Sequence, residues 1–304
     1  MLPSRATEGI LQIEWQDRHH DLRGRCITEH RDRGADNCRI AKDRQVDHRA
    51  RMPAFGEDEG DQQDTRFRPT GIRNYLAPTV EDCGLPKAAI FDLDGTLLDS
   101  VDLHALAWQE ALLKFGHDVN FEQVRGQIGK GGDKLIPVFL SADEQKDHGK
   151  ELEEWRGDRF KKEYLPIVRP FSAVPDLLRR VREAGLQIAI ASSAKKDEVD
   201  KYLDIAGITD LVDLTTSSDD VEQSKPAPDI FEIVLKKLKM ESADAVAIGD
   251  TPYDAEAAGK AGVPTVGVLC GGFTEDELRK AGCAEVYPGP AALLACFERS
   301  LLRK

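Results

Sequence analysis

Residues 88–100 read Ala-Ala-Ile-Phe-Asp-Leu-Asp-Gly-Thr-Leu-Leu-Asp-Ser, a short apolar run followed by two aspartates and a Gly-Thr turn. An apolar run that stops at a turn is typical of a buried parallel strand. Because side chains two residues apart project to the same side of a strand, Asp92 and Asp94 are predicted to start on one face at its carboxyl end. Ligands bind at that edge of open α/β sheets, and carboxylate oxygens suit Mg²⁺. The alternative is a pair of solvated turn carboxylates.

The bulk composition indicates a globular protein without affinity for nucleic acid or membranes. The 304 residues allow about two domains, and 40% hydrophobic with 32% charged residues is enough for a core. A formal net charge of −13 disfavours a general binder of nucleic acid or of anionic membranes. Residues 1–24 lack the apolar core of a signal peptide, and no apolar run approaches membrane-spanning length. Six scattered cysteines without a CxxC pair favour free thiols and a cytoplasmic location.

Residues 1–86 differ in composition from the rest of the chain. They contain thirteen arginines but one lysine and have few apolar runs, whereas lysine outnumbers arginine from Lys87 onward. Such a segment cannot bury enough apolar surface to offset its ordering entropy, so we predict a mostly disordered extension. A second hypothesis is that the segment is absent from the natural protein, with Met52 or a later codon as the true start. A regulatory arm is the alternative.

From residue 87 the chain alternates strand and helix patterns, which predicts a Rossmann-like, three-layer α/β core with a parallel sheet. Strands are predicted at 87–92, 186–191, 211–214, 245–249 and 265–268, and helices near 174–184, 198–206, 229–238, 253–261, 274–281 and 291–301. Residues 101–168 show helical periodicity alone. We therefore expect an all-helical cap, inserted after the first strand of a core formed by residues 87–100 and 169–304. Glycines at 126, 129, 131 and 132 favour a loop between cap helices over a phosphate-binding loop, because no strand precedes them.

Three further motifs are predicted to meet the aspartate pair at the same sheet edge. Ser192 follows the second predicted strand, Lys225 precedes a helix, and Asp250 and Asp254 follow the fourth predicted strand. Each motif has a plain alternative, namely a helix cap, a solvated lysine, or acids of a first helical turn. Together they offer what phosphoryl transfer needs: an acidic metal site, a carboxylate nucleophile, a proton-transfer carboxylate, and a hydroxyl and a cation for phosphate oxygens.

These motifs resemble those of the haloacid dehalogenase superfamily, in the helical-capped branch that includes phosphoglycolate phosphatase and β-phosphoglucomutase. They read Asp92-Leu93-Asp94-Gly95-Thr96, Ser192, Lys225 and Gly249-Asp250-Thr251-Pro252-Tyr253-Asp254, and the resemblance covers residues 87–304. It implies that Asp92 is the nucleophile, forming an aspartyl-phosphate, and that Asp94 is the general acid and base. It further implies Mg²⁺ held by the Asp92 carboxylate, the Asp94 main-chain carbonyl and Asp250, with Asp254 bound to the ion directly or through water. Ser192 and Lys225 would hold the phosphoryl oxygens.

The resemblance implies a Mg²⁺-dependent phosphatase that hydrolyses a small phosphate monoester. Asp94 disfavours dehalogenation, and the fourth motif resembles the phosphatases more than the Glu-Asp-Ser form usual in β-phosphoglucomutases. A phosphomutase is the alternative, and a non-enzymatic interaction protein is a distant one. The expected partner is a small phosphorylated metabolite, and the sequence carries no signal for oligomeric state.

The cap contributes three residues whose roles stay open. Lys130 and Lys134 lie near the cap glycines and are candidates for contacting an anionic substrate, with solvated lysines as the alternative. For His104, shortly after the first motif, an ordinary partly buried histidine is favoured over a role in the site.

Overall fold

The computed structural model describes residues 84–304, so nearly all of the predicted extension at 1–86 lies outside the described residues. Eight strands occur in this part of the chain: β1 (Ala88–Phe91), β2 (Leu98–Asp99), β3 (Arg169–Pro170), β4 (Gln187–Ala191), β5 (Leu214–Thr216), β6 (Ala245–Gly249), β7 (Thr265–Val268) and β8 (Cys283–Tyr287). Six of them form a parallel sheet in the order β5-β4-β1-β6-β7-β8. The other two pair as a short antiparallel ribbon. The predicted α/β core with a parallel sheet is confirmed.

The helices divide between the sheet and an insertion. The core helices are α6 (Val174–Glu183), α7 (Lys196–Ala206), α8 (Asp229–Leu238), α9 (Pro252–Lys260), α10 (Glu275–Ala281) and α11 (Pro290–Ala295). Those before them are α1 (Val101–Lys114), α2 (Phe121–Arg125), α3 (Gly132–Phe139), α4 (Ala142–Glu144) and α5 (Lys150–Arg159). None of the helices within residues 84–304 has the length and apolar character that a membrane span requires.

The first strand is buried on both faces, which explains its continuous apolar sequence. All four residues of β1 are fully buried. Ala89 and Phe91 pack in one core cluster with residues of α6, α7 and α11, whereas Ala88 and Ile90 pack in another with residues of α8 and α9. Successive side chains of a strand point to opposite faces, so two core clusters require an apolar residue at every position. The result is the three-layer arrangement that the alternating pattern predicts.

The order of the strands places a crevice at the end of β1. The chain builds β4 and β5 on one side of β1 and β6, β7 and β8 on the other. Such a reversal of strand order opens a crevice at the carboxyl edge, where α/β proteins bind ligands. Asp92 is the first residue after β1, so it lies at this crevice.

The five helices α1 to α5 form a cap with a core of its own. The chain leaves the sheet through β2 and returns through β3, and these two strands pair with each other. Trp108, Leu112, Leu135 and Leu152 are buried together in a cluster separate from those of the sheet. A paired two-strand connection and a separate apolar core are the features of a subdomain joined to the sheet by two linkers. We propose the bounds 101–168 for this subdomain and 87–100 with 169–304 for the core.

Three differences from the predicted elements have local causes. A short 3-10 turn at Thr209–Leu211 delays the strand expected at 211–214, which runs over Leu214–Thr216. The edge strand Cys283–Tyr287 was not predicted, because Cys-Ala-Glu-Val-Tyr lacks the apolar run of an interior strand. The helix expected at 291–301 ends at Ala295 and is followed by a 3-10 turn at Phe297–Arg299.

Candidate active site

Asp92 and Lys225 form a buried ion pair at the carboxyl edge of the sheet. Lys225 Nζ donates to Asp92 Oδ1 at 2.5 Å and to the carbonyl oxygen of Ala191, the last residue of β4, at 2.7 Å. The same ammonium lies 2.7 Å from Asp254 Oδ1. Lys225 is only 1% exposed, and its pKa is raised because the two carboxylates outweigh the effect of burial. Lys225 is therefore a fixed positive charge and not a solvated lysine.

Asp250 and Asp254 are held by hydrogen bonds from neighbouring threonines. The Thr96 hydroxyl donates to Asp250 Oδ1 at 2.8 Å. Thr251 is the N-cap of α9, and its backbone N–H and hydroxyl donate to Asp254 Oδ2 at 3.1 and 2.7 Å. Asp254 therefore takes part in capping helix α9, which was the alternative to a role in the site. Its other oxygen, Oδ1, nevertheless faces Lys225.

The site fits a divalent metal ion. Carboxylate oxygens of Asp92, Asp250 and Asp254 lie within 4.8 Å of one another, and all three residues are buried. Three carboxylates against the single ammonium of Lys225 leave two uncompensated negative charges. Buried charges of one sign are costly, and hard divalent cations prefer oxygen ligands. Asp250 Oδ2 is buried without a hydrogen-bond partner among the described residues, as expected of an oxygen reserved for a ligand.

The pKa values of the carboxylates report the same charge imbalance. Burial raises the pKa of Asp92 to about 7, because Asp254 adds repulsion and Lys225 offsets only part of the effect. The pKa of Asp250 lies well above its ordinary value, owing to burial and to repulsion from Asp254 and Asp92.

Two glycines leave space for the Asp250 carboxylate: a Cβ on Gly95 or Gly271 would come within 2.7 Å of its atoms.

Asp94 has different partners from Asp92, although the two residues begin on one strand end. The Ser100 hydroxyl donates to Asp94 Oδ1 at 2.5 Å, and His104 Nε2 lies 3.0 Å from the same oxygen. Burial opposes ionisation, but His104, Ser100 and Arg156 together lower the pKa of Asp94 below its ordinary value. Gly95, with φ +83°, lies in the turn that directly follows Asp94, a conformation that glycine adopts without strain. The result is one carboxylate in the cluster with Asp250 and Asp254 and one beside a histidine.

His104 is a buried member of the site and not an isolated core histidine. The ring is stacked on Phe160, with centroids 3.9 Å apart and planes 4° from parallel. Its Nδ1 lies 2.9 Å from Arg156 Nη2, and its Nε2 lies 2.8 Å from the Tyr202 hydroxyl as well as near Asp94. Sequence reasoning missed Arg156 and Tyr202, because the only available signal was the ten-residue spacing of His104 from Asp94.

Ser192 lies at the same sheet edge as Asp92. It directly follows β4, whose Ile190 pairs with Phe91 of β1, and its side chain is buried. The Ser192 hydroxyl oxygen accepts a hydrogen bond from the backbone N–H of Ala194 at 3.1 Å. This contact orients the hydroxyl, whose proton is left to donate elsewhere.

A cavity of about 700 Å³ lies between the core and the cap. Asp92 and Asp94 line it from the core, and Trp108, Lys130 and Arg156 line it from the cap. Lys130 Nζ donates to Gln127 Oε1 at 2.6 Å and lies 4.6 Å from the centre of the Tyr253 ring, and burial lowers its pKa.

Lys134 occupies a different position from Lys130. It donates to Gln223 Oε1 of the core at 3.1 Å and is not among the described residues that line the cavity.

The glycine-rich segment between α2 and α3 is a loop between helices, as favoured, but it also contacts the core. The Gly131 N–H donates to Ser224 Oγ at 3.1 Å, and Ser224 directly precedes Lys225. The Tyr253 hydroxyl donates to the Gly126 carbonyl at 2.6 Å. A Cβ on Gly131 would lie 2.6 Å from both Cβ and Oγ of Ser224, and one on Gly129 would lie 2.7 Å from Thr251 Cγ2. The absence of side chains at Gly129 and Gly131 therefore allows the cap to approach the core loops that carry Ser224 and Thr251.

Gly131→Ala is expected to impair this cap–core contact more than it affects folding. The new methyl group would separate the loop from Ser224, so we expect kcat/KM for the activity that the resemblance implies to fall by about tenfold. The melting temperature should change little, because Gly131 belongs to none of the apolar core clusters of the described residues. Steady-state kinetics and thermal melts measure both effects. An unchanged kcat/KM would show that the close approach at Gly131 is not needed for turnover.

The chain was compared with models of known protein families. Residues 89–268, more than half of the chain, match the family model described as haloacid dehalogenase-like hydrolase. The chain therefore belongs to the haloacid dehalogenase-like hydrolase family, and the predicted resemblance is confirmed. An enzymatic family sets aside the interaction-protein alternative.

Individual relatives are similar over about 60–70% of the chain. Phosphoglycolate phosphatase of Aquifex aeolicus is 32% identical over 190 residues, which are 61% of this chain and 85% of the relative. Pyrophosphatase PpaX of Bacillus velezensis is 26% identical over 194 residues, which are 60% of this chain and 82% of that protein. A hydrolase from Pseudomonas syringae has a crystal structure that matches with a TM-score of 0.65 at 27% identity, covering 70% of this chain and 98% of its own.

Proposed function

We propose that the protein is a Mg²⁺-dependent phosphatase that hydrolyses a small phosphate monoester through an aspartyl-phosphate on Asp92. The observation that carries this proposal is the buried cluster of Asp92, Asp250, Asp254 and Lys225 at the carboxyl end of β1. The name of the Aquifex aeolicus relative, a phosphoglycolate phosphatase, supports a phosphate ester as the substrate. A small phosphorylated metabolite is the proposed partner, and the cytoplasmic location stays a prediction from the cysteine pattern.

Asp92 is the proposed nucleophile. One of its oxygens attacks phosphorus, a bond from Asp92 to phosphorus forms, and the bond from phosphorus to the leaving oxygen breaks. Lys225 and the Ser192 hydroxyl are proposed to hold phosphoryl oxygens, since a fixed cation and a fixed donor at this position stabilise the charge of the transition state. Without such groups a carboxylate and an anionic phosphate repel each other.

Asp94 is the proposed general acid and base. It gives a proton to the leaving oxygen, then takes a proton from the water that hydrolyses the aspartyl-phosphate and thereby returns to its protonated form. The contacts of Ser100 and His104 favour its ionised form in the free protein. A bound phosphoryl group adds negative charge nearby and so favours the protonated form that the first step needs.

A bound Mg²⁺ would be held by carboxylates of Asp92, Asp250 and Asp254 and by the Asp94 main-chain carbonyl. Its contribution would be to screen the negative charge shared by these carboxylates and the phosphate. Asp250 Oδ2, the buried oxygen without a described partner, is the ligand atom that this proposal requires.

Phosphate release from a panel of esters with Mg²⁺ tests the proposal. We expect release from at least one of phosphoglycolate, a sugar phosphate or p-nitrophenyl phosphate, and loss of that activity with EDTA. Added Mg²⁺ should restore activity. Conversion of β-glucose 1-phosphate to the 6-phosphate without phosphate release would instead favour the phosphomutase alternative, and activity unaffected by EDTA would contradict the metal assignment.

A further inference from the structure

A buried chain of polar side chains runs from the core helix α7 to Asp94. Glu198 Oε1 accepts a hydrogen bond from the Tyr202 hydroxyl at 2.9 Å, and that hydroxyl lies 2.8 Å from His104 Nε2. The same Nε2 lies 3.0 Å from Asp94 Oδ1. Glu198 and Tyr202 are one helical turn apart, so α7 presents both side chains to the site.

The hydrogen-bond chemistry of the partners fixes where the protons lie. Arg156 can only donate, so His104 Nδ1 must be the acceptor of that contact and must lack a proton. The imidazole proton is then on Nε2, directed at Asp94 Oδ1 and at the Tyr202 oxygen. Because the Tyr202 hydroxyl gives its own proton to Glu198, its oxygen is free to accept from Nε2. From Glu198 through Tyr202 and His104 to Asp94, each donor therefore faces an acceptor, and the Nε2–H of His104 is shared between two of them.

Packing alone does not account for Glu198 and Tyr202. Glu198 is 3% exposed and Tyr202 is fully buried, while the neighbouring inward residues of α7 are apolar. Burial removes hydration from a carboxylate, and among the described residues Glu198 Oε1 has in exchange the Tyr202 hydroxyl and His104 Nε2, the latter 3.9 Å away. An apolar residue would fill this position at lower cost to folding.

We propose that Tyr202 and Glu198 are positioning residues for the acid–base step. Tyr202, held by Glu198, contacts the edge of the His104 ring, and Phe160 stacks on the face of the same ring. The ring is therefore held with its Nε2–H directed at Asp94 Oδ1, which restrains that oxygen. The Ser100 contact falls on the same oxygen, which leaves Asp94 Oδ2 to exchange protons with the substrate and water. This inference rests on the proposed function, because it assigns to the pair a role in the proton transfer by Asp94.

Tyr202→Phe tests the proposal through the leaving group. p-Nitrophenolate departs without a proton, whereas an alkoxide needs one from Asp94. For kcat/KM, which covers the steps up to leaving-group departure, we expect the variant to lose about tenfold or more with an alkyl phosphate and less than threefold with p-nitrophenyl phosphate. The alkyl ester would be whichever of phosphoglycolate and glucose 6-phosphate the wild type hydrolyses faster. Glu198→Ala should show the same pattern, because it leaves the Tyr202 hydroxyl without its acceptor.

Tyr164→Phe is the matched control. Tyr164 also donates to a glutamate, Glu110, at 2.8 Å, but Glu110 is paired with Arg159 and not with His104. For each of the two esters we expect kcat/KM of this variant to equal that of the wild type. If Tyr202→Phe and Glu198→Ala slow both esters by the same factor, or slow neither, the positioning role is wrong. If the wild type hydrolyses neither ester with Mg²⁺, the proposed function fails instead.

Discussion

Asp92→Asn is expected to lower kcat by about 10⁴-fold or more, the largest effect of any single substitution proposed. The amide keeps the shape of the carboxylate but has no anionic oxygen to attack phosphorus. Lys225 keeps its contacts with Asp254 and the Ala191 carbonyl, so the surrounding structure should persist. Phosphate release measured with excess Mg²⁺ gives the loss, and circular dichroism shows whether the fold is intact.

The stability of this variant has a predictable sign. Because the folded protein raises the pKa of Asp92 to about 7, above the value in an unfolded chain, ionisation of Asp92 disfavours folding. The stability that the protonated form contributes is lost as pH rises from the ordinary pKa of 3.8 to the folded-state pKa of about 7. At pH 8 without Mg²⁺, Asp92→Asn should therefore melt at or above the temperature of the wild type.

An exposed aspartate provides the control for this substitution. Asp118 lies on the surface in the loop after α1, and Asp118→Asn should keep wild-type turnover. If Asp92→Asn keeps more than about 1% of the wild-type kcat, Asp92 is not the nucleophile. Trapping of phosphorylated protein in the wild type and its absence in Asp92→Asn would support the assignment independently.

The sequence predicted the central part of the fold because local and global signals agree there. Residues 88–91 are apolar at every position, and both faces of β1 are in fact covered by helices. The edge strand Cys283–Tyr287 was missed because one side of it carries polar and partly exposed residues. Cys283–Tyr287 is a strand because it pairs with β7. This pairing depends on which segments meet in the folded protein, and it leaves no periodic pattern in the sequence of the edge strand itself.

The candidate site also has a part that the sequence predicts and a part that it does not. Four candidate residues could be selected from their places in the predicted elements. Asp92 and Asp250 directly follow strands, Lys225 precedes a helix and Asp254 lies in the first turn of one, and the topology brings such positions to one edge. The surroundings of Asp94 could not be predicted. His104, Arg156 and Tyr202 belong to two cap helices and one core helix, and their meeting depends on how the cap lies over the sheet.

Gly271→Ala is expected to remove most activity through the proposed metal site. Gly271 is buried after β7, and a Cβ there would overlap Asp250 Oδ2 and lie 2.7 Å from Asp250 Cβ. The carboxylate cannot move freely, since Thr96 holds its other oxygen at 2.8 Å. We expect Mg²⁺ affinity to fall by about 10–100-fold, as when the supports of a metal ligand are removed, and kcat to fall by about 100-fold. Calorimetric titration with Mg²⁺ measures the first effect without relying on turnover.

Gly259→Ala separates this local effect from the general cost of a methyl group. Gly259 is exposed in α9 and has no neighbouring atom within 4 Å of its added Cβ, so the change should stabilise the fold by about 0.5–1 kcal/mol and leave Mg²⁺ affinity unchanged. If Gly271→Ala binds Mg²⁺ as tightly as Gly259→Ala, the cation does not use Asp250 Oδ2. The unpartnered oxygen would then need another explanation, and the charge imbalance of the three carboxylates would have to be relieved by protonation, as the raised pKa of Asp250 allows.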